Sequence, residues 1–356
     1  MTSASIPLPA LRRGPVWPAW GWSLLGVLAV WAVIIAVRPG SPLDPMAQAL
    51  SLAPFLVLVA LGQMLVITLG PGNIDVSVGT VISMASYVSV GVGATAGPAI
   101  GLAAGVGSGL AAGAVSAAAI LLLRVPPIIA TLATSLVVTS ATLLLADAAR
   151  AGADASLRAF VTAKAFGIPV IALVVAAMTV IVWLALTRTR VGVAVIAVGQ
   201  SVRAAERAGL PVAGVTVTAY LVSAGLAGLV GGLLAAFISP STVLGSSYML
   251  DSIAVVVIGG TLISGGRPVP AGAWTGALFF VLLSGLLNLV GWSIGAQNVL
   301  KGVLVVLVVV IASAATGTGR SSLHRLRASL HRPASVPSAR RADTDPIPKN
   351  KENIHG

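Results

Sequence analysis

Apolar runs of roughly twenty residues, parted by short polar stretches, set the rhythm of this chain. The pattern predicts ten membrane spans: Ala19–Val37, Gln48–Leu69, Val76–Thr95, Pro98–Leu123, Ile128–Ala146, Pro169–Leu186, Thr216–Phe237, Asp251–Ser264, Ala271–Val290 and Asn298–Ala315. Asp251–Ser264 is the weakest, because its 14 residues fall short of the ~20 that a straight helix needs to cross a bilayer. The expected fold is an all-α polytopic membrane protein of about ten transmembrane helices, in two inverted halves with both termini cytoplasmic. Residues 1–18 read as a cytoplasmic N-terminal segment, 19–315 as the transmembrane domain and 316–356 as a disordered basic cytoplasmic tail.

The longest polar interruption, residues 187–215, organises the rest. It carries Arg188, Arg190, Arg203 and Arg207 with Glu206 as its sole acid, and basic residues in short loops mark the cytoplasmic face. Ser201 to Ala208 is rich in helix formers. Ser201 can cap its start, and Gly209 followed by Pro211 stops it. A short cytoplasmic helix held between two spans can dock into a groove on a soluble partner, or lie as an amphipathic helix on anionic lipid.

Two further breaks interrupt apolar sequence. The first is Gly70-Pro71-Gly72-Asn73-Ile74-Asp75-Val76-Ser77-Val78-Gly79. Irregular backbone at membrane depth is tolerated only where protein or a water-filled cavity satisfies its polar groups. Asn73 or Asp75 can cap the helix that follows, and Asp75 can also line a path or gate, since intramembrane charge is costly and usually functional. The two roles can coexist. The second break ends the short run at Gly259-Gly260-Thr261, and a short apolar segment stopped by glycine is a favoured place for a transporter's binding site. Elsewhere Gly93, Gly97, Gly101, Gly105, Gly109 and Gly113 recur every fourth residue, which predicts a flat packing stripe on the fourth span rather than chemistry.

Composition agrees with a membrane class: 57% of residues are hydrophobic and only 8% charged, against about a quarter charged in globular domains. The net charge of +12 does not point to nucleic acid, because the positives sit between and after apolar spans. Sixteen of the 21 Lys and Arg residues fall on the expected inner side, the exceptions being Arg38, Arg150, Arg158, Lys164 and Lys301. There is no cysteine, and His324, His331 and His355 all lie in the tail. No metal site, catalytic residue or cofactor is expected, which weighs against a membrane-embedded enzyme.

The breaks also carry a family resemblance. Gly72-Asn73-Ile74-Asp75-Val76-Ser77-Val78-Gly79 resembles the Gly-Gly-Ile-Asp-Leu-Ser-Val-Gly signature of ribose-type ABC transporter permeases, to which branched-chain amino-acid permeases are distantly related. Asp251 to Thr261, followed by Gly265-Gly266-Arg267, is similar to a second block of that family, and Gly199, Arg203-Ala204-Ala205 and Ala208-Gly209 to its cytoplasmic loop. Pro71-Gly72-Asn73 and Pro268 depart from the family pattern. The resemblance implies the permease subunit of an importer in the bacterial inner membrane, working as a homodimer or heterodimer. A periplasmic binding protein would deliver a monosaccharide or related polyol, and ATP-binding cassette ATPase subunits would supply energy in trans. It implies a substrate path along Asn73, Asp75, Ser77, Asp251, Gly259, Gly260 and Thr261. It also implies an ATPase-docking set of Arg203, Ala204, Ala205, Glu206, Ala208 and Gly209. The chain has no Gly-x-x-x-x-Gly-Lys-Ser/Thr loop, so it is not expected to be an ATP-hydrolysing enzyme itself. An ion-coupled secondary transporter is the alternative, although sparse intramembrane carboxylates argue against a proton relay.

Overall fold

The computed structural model describes residues 17–40, 42–148 and 152–315. The expectations for most of the N-terminal segment and for the basic tail lie outside the described residues. The described residues form helices and one two-stranded hairpin, β1 (Lys164–Ala165) and β2 (Ile168–Pro169). Among the described residues, seven helices are long and apolar enough to cross a membrane. They are α2 (Asp44–Thr68), α3 (Val78–Ala96), α4 (Pro98–Leu122), α5 (Pro127–Ala148), α7 (Val170–Arg188), α10 (Val212–Phe237) and α12 (Pro270–Leu289). The apolar helix α1 (Gly21–Val37) has 17 residues, and α13 runs over Ile294–Ala315.

The bundle's axis is α2. Every residue from Ala53 to Thr68 is buried, which requires a helix apolar on all sides, as this one is. Beside it runs α10 in the opposite sense, with Gly62 against the backbone of Ser223 and the Phe55 ring 5.4 Å from that of Phe237. The predicted glycine stripe is there: Gly101, Gly105, Gly109 and Gly113 are the buried glycines of α4. A Cβ at Gly109 would overlap the Ala224 carbonyl, and one at Gly228 would lie 2.5 Å from the Gly105 carbonyl oxygen. The α4 and α10 backbones therefore meet directly, an approach that only small residues permit.

Three expectations need correction. The stretch from Asp147 to Gly167, left between the predicted spans Ile128–Ala146 and Pro169–Leu186, is not all loop: it contains α6 (Ala155–Thr162) and the start of the hairpin, and α6 begins where the Asp154 carboxylate accepts the Ser156 N–H. The island at 187–215 is mostly helical, with α8 (Arg190–Gln200) preceding α9 (Val202–Arg207). Finally, Asp251–Ser264 is no continuous eighth span. Its helix, α11 (Tyr248–Ile258), has 11 residues, about 16 Å of length. It stops because Gly260 takes a φ of +93°, a left-handed conformation that favours glycine. The chain then continues without helix until Gly266 N–H donates to the Thr68 carbonyl, at the end of α2, at 2.9 Å.

Candidate functional site

The first break, Gly70 to Ser77, is held by side chains from three helices. Asp75 is 1% exposed. Its Oδ1 accepts the Ser77 N–H at 3.0 Å and the Ser77 hydroxyl at 2.6 Å, and its Oδ2 accepts the Ser223 hydroxyl of α10 at 3.0 Å. The Gln63 carboxamide of α2, nitrogen toward the Asp75 carbonyl and oxygen toward the Asp75 N–H, makes both bonds at 3.2 Å. Thr131 of α5 accepts the Val76 N–H at 3.2 Å and donates to the Ile74 carbonyl at 3.3 Å. Asn73 accepts the Tyr220 hydroxyl at 3.2 Å. The extended backbone thus finds the partners that a helix would have given it. Asp75 closes the turn just ahead of α3 but does not cap the helix, whose N-cap position is Ser77 with no side-chain cap bond; Ser77 is itself 1% exposed.

The second break has different neighbours. Gly259 packs on the backbone of Gly272, Gly260 on that of Ala19, and the Thr261 hydroxyl accepts the Val269 N–H at 3.1 Å. These contacts place none of the three against Asp75. The residue that faces the start of α3 is Gly245, just ahead of α11: it abuts Gly79, and its N–H donates to the Ser83 hydroxyl at 3.1 Å. The two helices that follow irregular chain therefore meet at their N-termini. Of the two, only α11 is of half-helix length, and the N-terminus of a half-helix is where inverted-repeat transporters place substrate groups. Asp251, in the first turn of α11, pairs with Lys301 of α13 at 3.1 Å.

The helix α9 forms as predicted from its caps. Ser201 Oγ accepts the Ala204 N–H at 3.3 Å, and at the other end Leu210 N–H reaches the Ala205 carbonyl past Gly209, whose φ is +77°. Arg203, Ala204, Glu206, Arg207, Ala208 and Gly209 are exposed. Ala205 is not: at 3% exposure it belongs to the core, so it supports the helix from beneath and presents nothing to a partner.

All three sequence motifs converge at this end of the bundle. Gly199, the penultimate residue of α8, sits against the Thr68 carbonyl and Gly266, while Gly265 sits against Gly70. The end of α2, the end of the second break and the root of α9 form one backbone-to-backbone junction. Gln63 and Thr131 were visible in the sequence as buried polar groups within apolar spans. Tyr220, Ser223, Gly245 and Lys301 carried no local signal beyond polarity or smallness in an apolar setting. A lone cation on α13 and a lone acid on α11 are, however, the pair that intramembrane charge favours.

A family model described as "Branched-chain amino acid transport system / permease component" matches residues 46–312. The chain belongs to that family. With its seven apolar helices, this permease-family member is a multi-pass protein of the inner membrane. It is 38% identical over 146 residues to the ribose import permease protein of Bacillus subtilis, covering 41% of this chain and 45% of that one. It is 33% identical over 156 residues to the galactose/methyl galactoside import permease protein of Haemophilus influenzae, covering 43% and 46%. To the autoinducer 2 import system permease protein of Yersinia pestis it is 34% identical over 181 residues, covering 49% and 50%. The chain spans about half the length of these curated relatives. No solved structure matches it. The relatives are transport permease subunits rather than enzymes.

Proposed function

We propose that this chain is the membrane-spanning permease subunit of an ABC importer, moving a monosaccharide such as ribose, or a related polyol, that a periplasmic binding protein delivers. The observation that carries this reading is the junction of Gly199 with Thr68 and Gly266. It joins the exposed helix α9 to the ends of both breaks without an intervening flexible side chain. A push on α9 from ATPase subunits would be passed to α2 and to the segment after α11 through backbone alone. Close-packed backbone transmits displacement because it has no rotamers to absorb it. The names of the relatives support the substrate class, since those proteins are import permeases for ribose, galactose or autoinducer 2. In this reading the segments Asn73–Ser77 and Asp251–Thr261 border the path, and two permease copies assemble with paired ATPases.

Uptake of radiolabelled D-ribose and D-galactose in cells lacking their own importers tests it. Uptake should require the ATPase and binding-protein subunits and should survive collapse of the ion gradient by a protonophore. Uptake that disappears with the gradient and persists without an ATPase subunit would identify an ion-coupled carrier instead.

A further inference from the structure

At the end of the bundle opposite α9, a cavity of about 560 Å³ opens between α1, α2, α11 and α12, with Lys301 of α13 in its wall. It follows α2 from Asp44, the helix's first residue, to Leu56, roughly 18 Å at the helical rise. Its volume is that of a small-molecule site. The polar groups along it are unlike those that hold the two breaks. Asp44 and Gln48 have no hydrogen-bond or ion-pair partner among the described residues, and Asn288 has its carbonyl oxygen engaged by Gln297 but leaves its amide hydrogens free. The charged groups in its lining are Arg38, Asp44 and the ion pair Lys301–Asp251. Two cations and two anions leave no net charge to hold an ion. The lining offers both donors and acceptors, which a hydroxyl group needs because it does both at once. The floor ends beside Tyr248 and Asp251, in the first turn of α11.

The geometry points to a vestibule that binds a neutral, polyhydroxylated solute of monosaccharide size and leads it to the N-terminus of α11. Gln48 is the group that recognises hydroxyls, and the Asp251–Lys301 pair closes the floor. This rests on the importer reading, and it assigns the solute a first station that neither break supplies.

The chain contains no cysteine, so single Ser247→Cys and Ser284→Cys variants, both in the cavity lining, can be labelled without background in intact cells carrying the full chain with its partner subunits. Uptake of D-ribose, D-galactose and D-xylose first establishes which sugar is carried. Both variants should react with a membrane-impermeant thiol reagent from outside. The carried sugar should slow that reaction about tenfold at ten times its half-protecting concentration, as competition requires. Gln48→Ala should cut uptake at low sugar roughly fivefold, the loss of one net hydrogen bond, at unchanged membrane abundance. Equal labelling with and without a carried sugar overturns the vestibule and leaves the importer reading standing. Labelling by membrane-permeant reagents alone means that lipid fills the cavity, and also overturns it. If none of the three sugars is carried, the monosaccharide reading fails and the vestibule with it.

Discussion

Both carboxylate oxygens of Asp75 are engaged, and with them the N–H of one residue and the hydroxyls of two. Removing the acceptor would strand those donors in a buried site. Asp75→Ala should therefore destabilise the protein by about 3 kcal/mol or more, since three donors lose their acceptor and each buried orphan costs roughly 1–3. Asp75→Asn keeps one acceptor oxygen and should recover part of the loss. Thermal unfolding in detergent reads both. Wild-type stability in Asp75→Ala would instead place the residue's whole importance in transport. The residue type and its turn could be read from the sequence; its partners could not, because Ser223 stands 148 positions away and a serine in an apolar helix has many uses.

At the scale of elements, the α4 stripe and α9 were the most legible features. Glycine spacing of four is a helical face by arithmetic, and a Ser cap with a Gly stop bounds a helix before any tertiary contact is known. Gly109→Leu should lower the amount of folded permease severalfold in membranes, with an overpacking cost of about 1–3 kcal/mol or more; undiminished yield would mean that α4 and α10 separate cheaply. On α9 the exposed charges are the testable surface. Arg203→Glu with Arg207→Glu should uncouple ATP hydrolysis from uptake while the permease stays folded, whereas Ala205→Trp, aimed into the core, should reduce folding itself. Uptake unaffected by the double charge reversal would leave α9 as a surface helix. Less legible was α8. Its buried set, Gly192, Val195 and Gly199 with Ala194 and Val198, has helical spacing, but flanking arginines make the stretch read as loop. The half-helix α11 was foreshadowed by the shortness of its apolar run and by the Gly259-Gly260 stop.

For the whole molecule, the ion pair Lys301–Asp251 ties α13 to the bundle. Its side chains are 13% and 16% exposed, so each charge depends on the other. Lys301→Met should cost about 3–5 kcal/mol by leaving a buried carboxylate alone, and adding Asp251→Asn should return most of it. A double variant no better than the single one would show that Lys301 acts on something other than Asp251. The all-α membrane class of the fold came from apolar run length. The meeting of α3 and α11 at their N-termini did not, because Gly79 and Gly245 are adjacent only once α2 and α10 have packed.

The first break also sets a timetable for synthesis. Gln63 and Thr131 are made close to Asp75, but Ser223 and Tyr220 arrive about 148 residues later. At a ribosomal pace of roughly 5–20 residues per second that is a delay of about 7–30 s. During it the nascent N-terminal half holds a carboxylate at membrane depth with part of its coordination missing. The early half is therefore a client for whatever machinery shields polar chain beside the translocon. Made alone, it should be short-lived, and supplying the α10-bearing half in the same cell should rescue it.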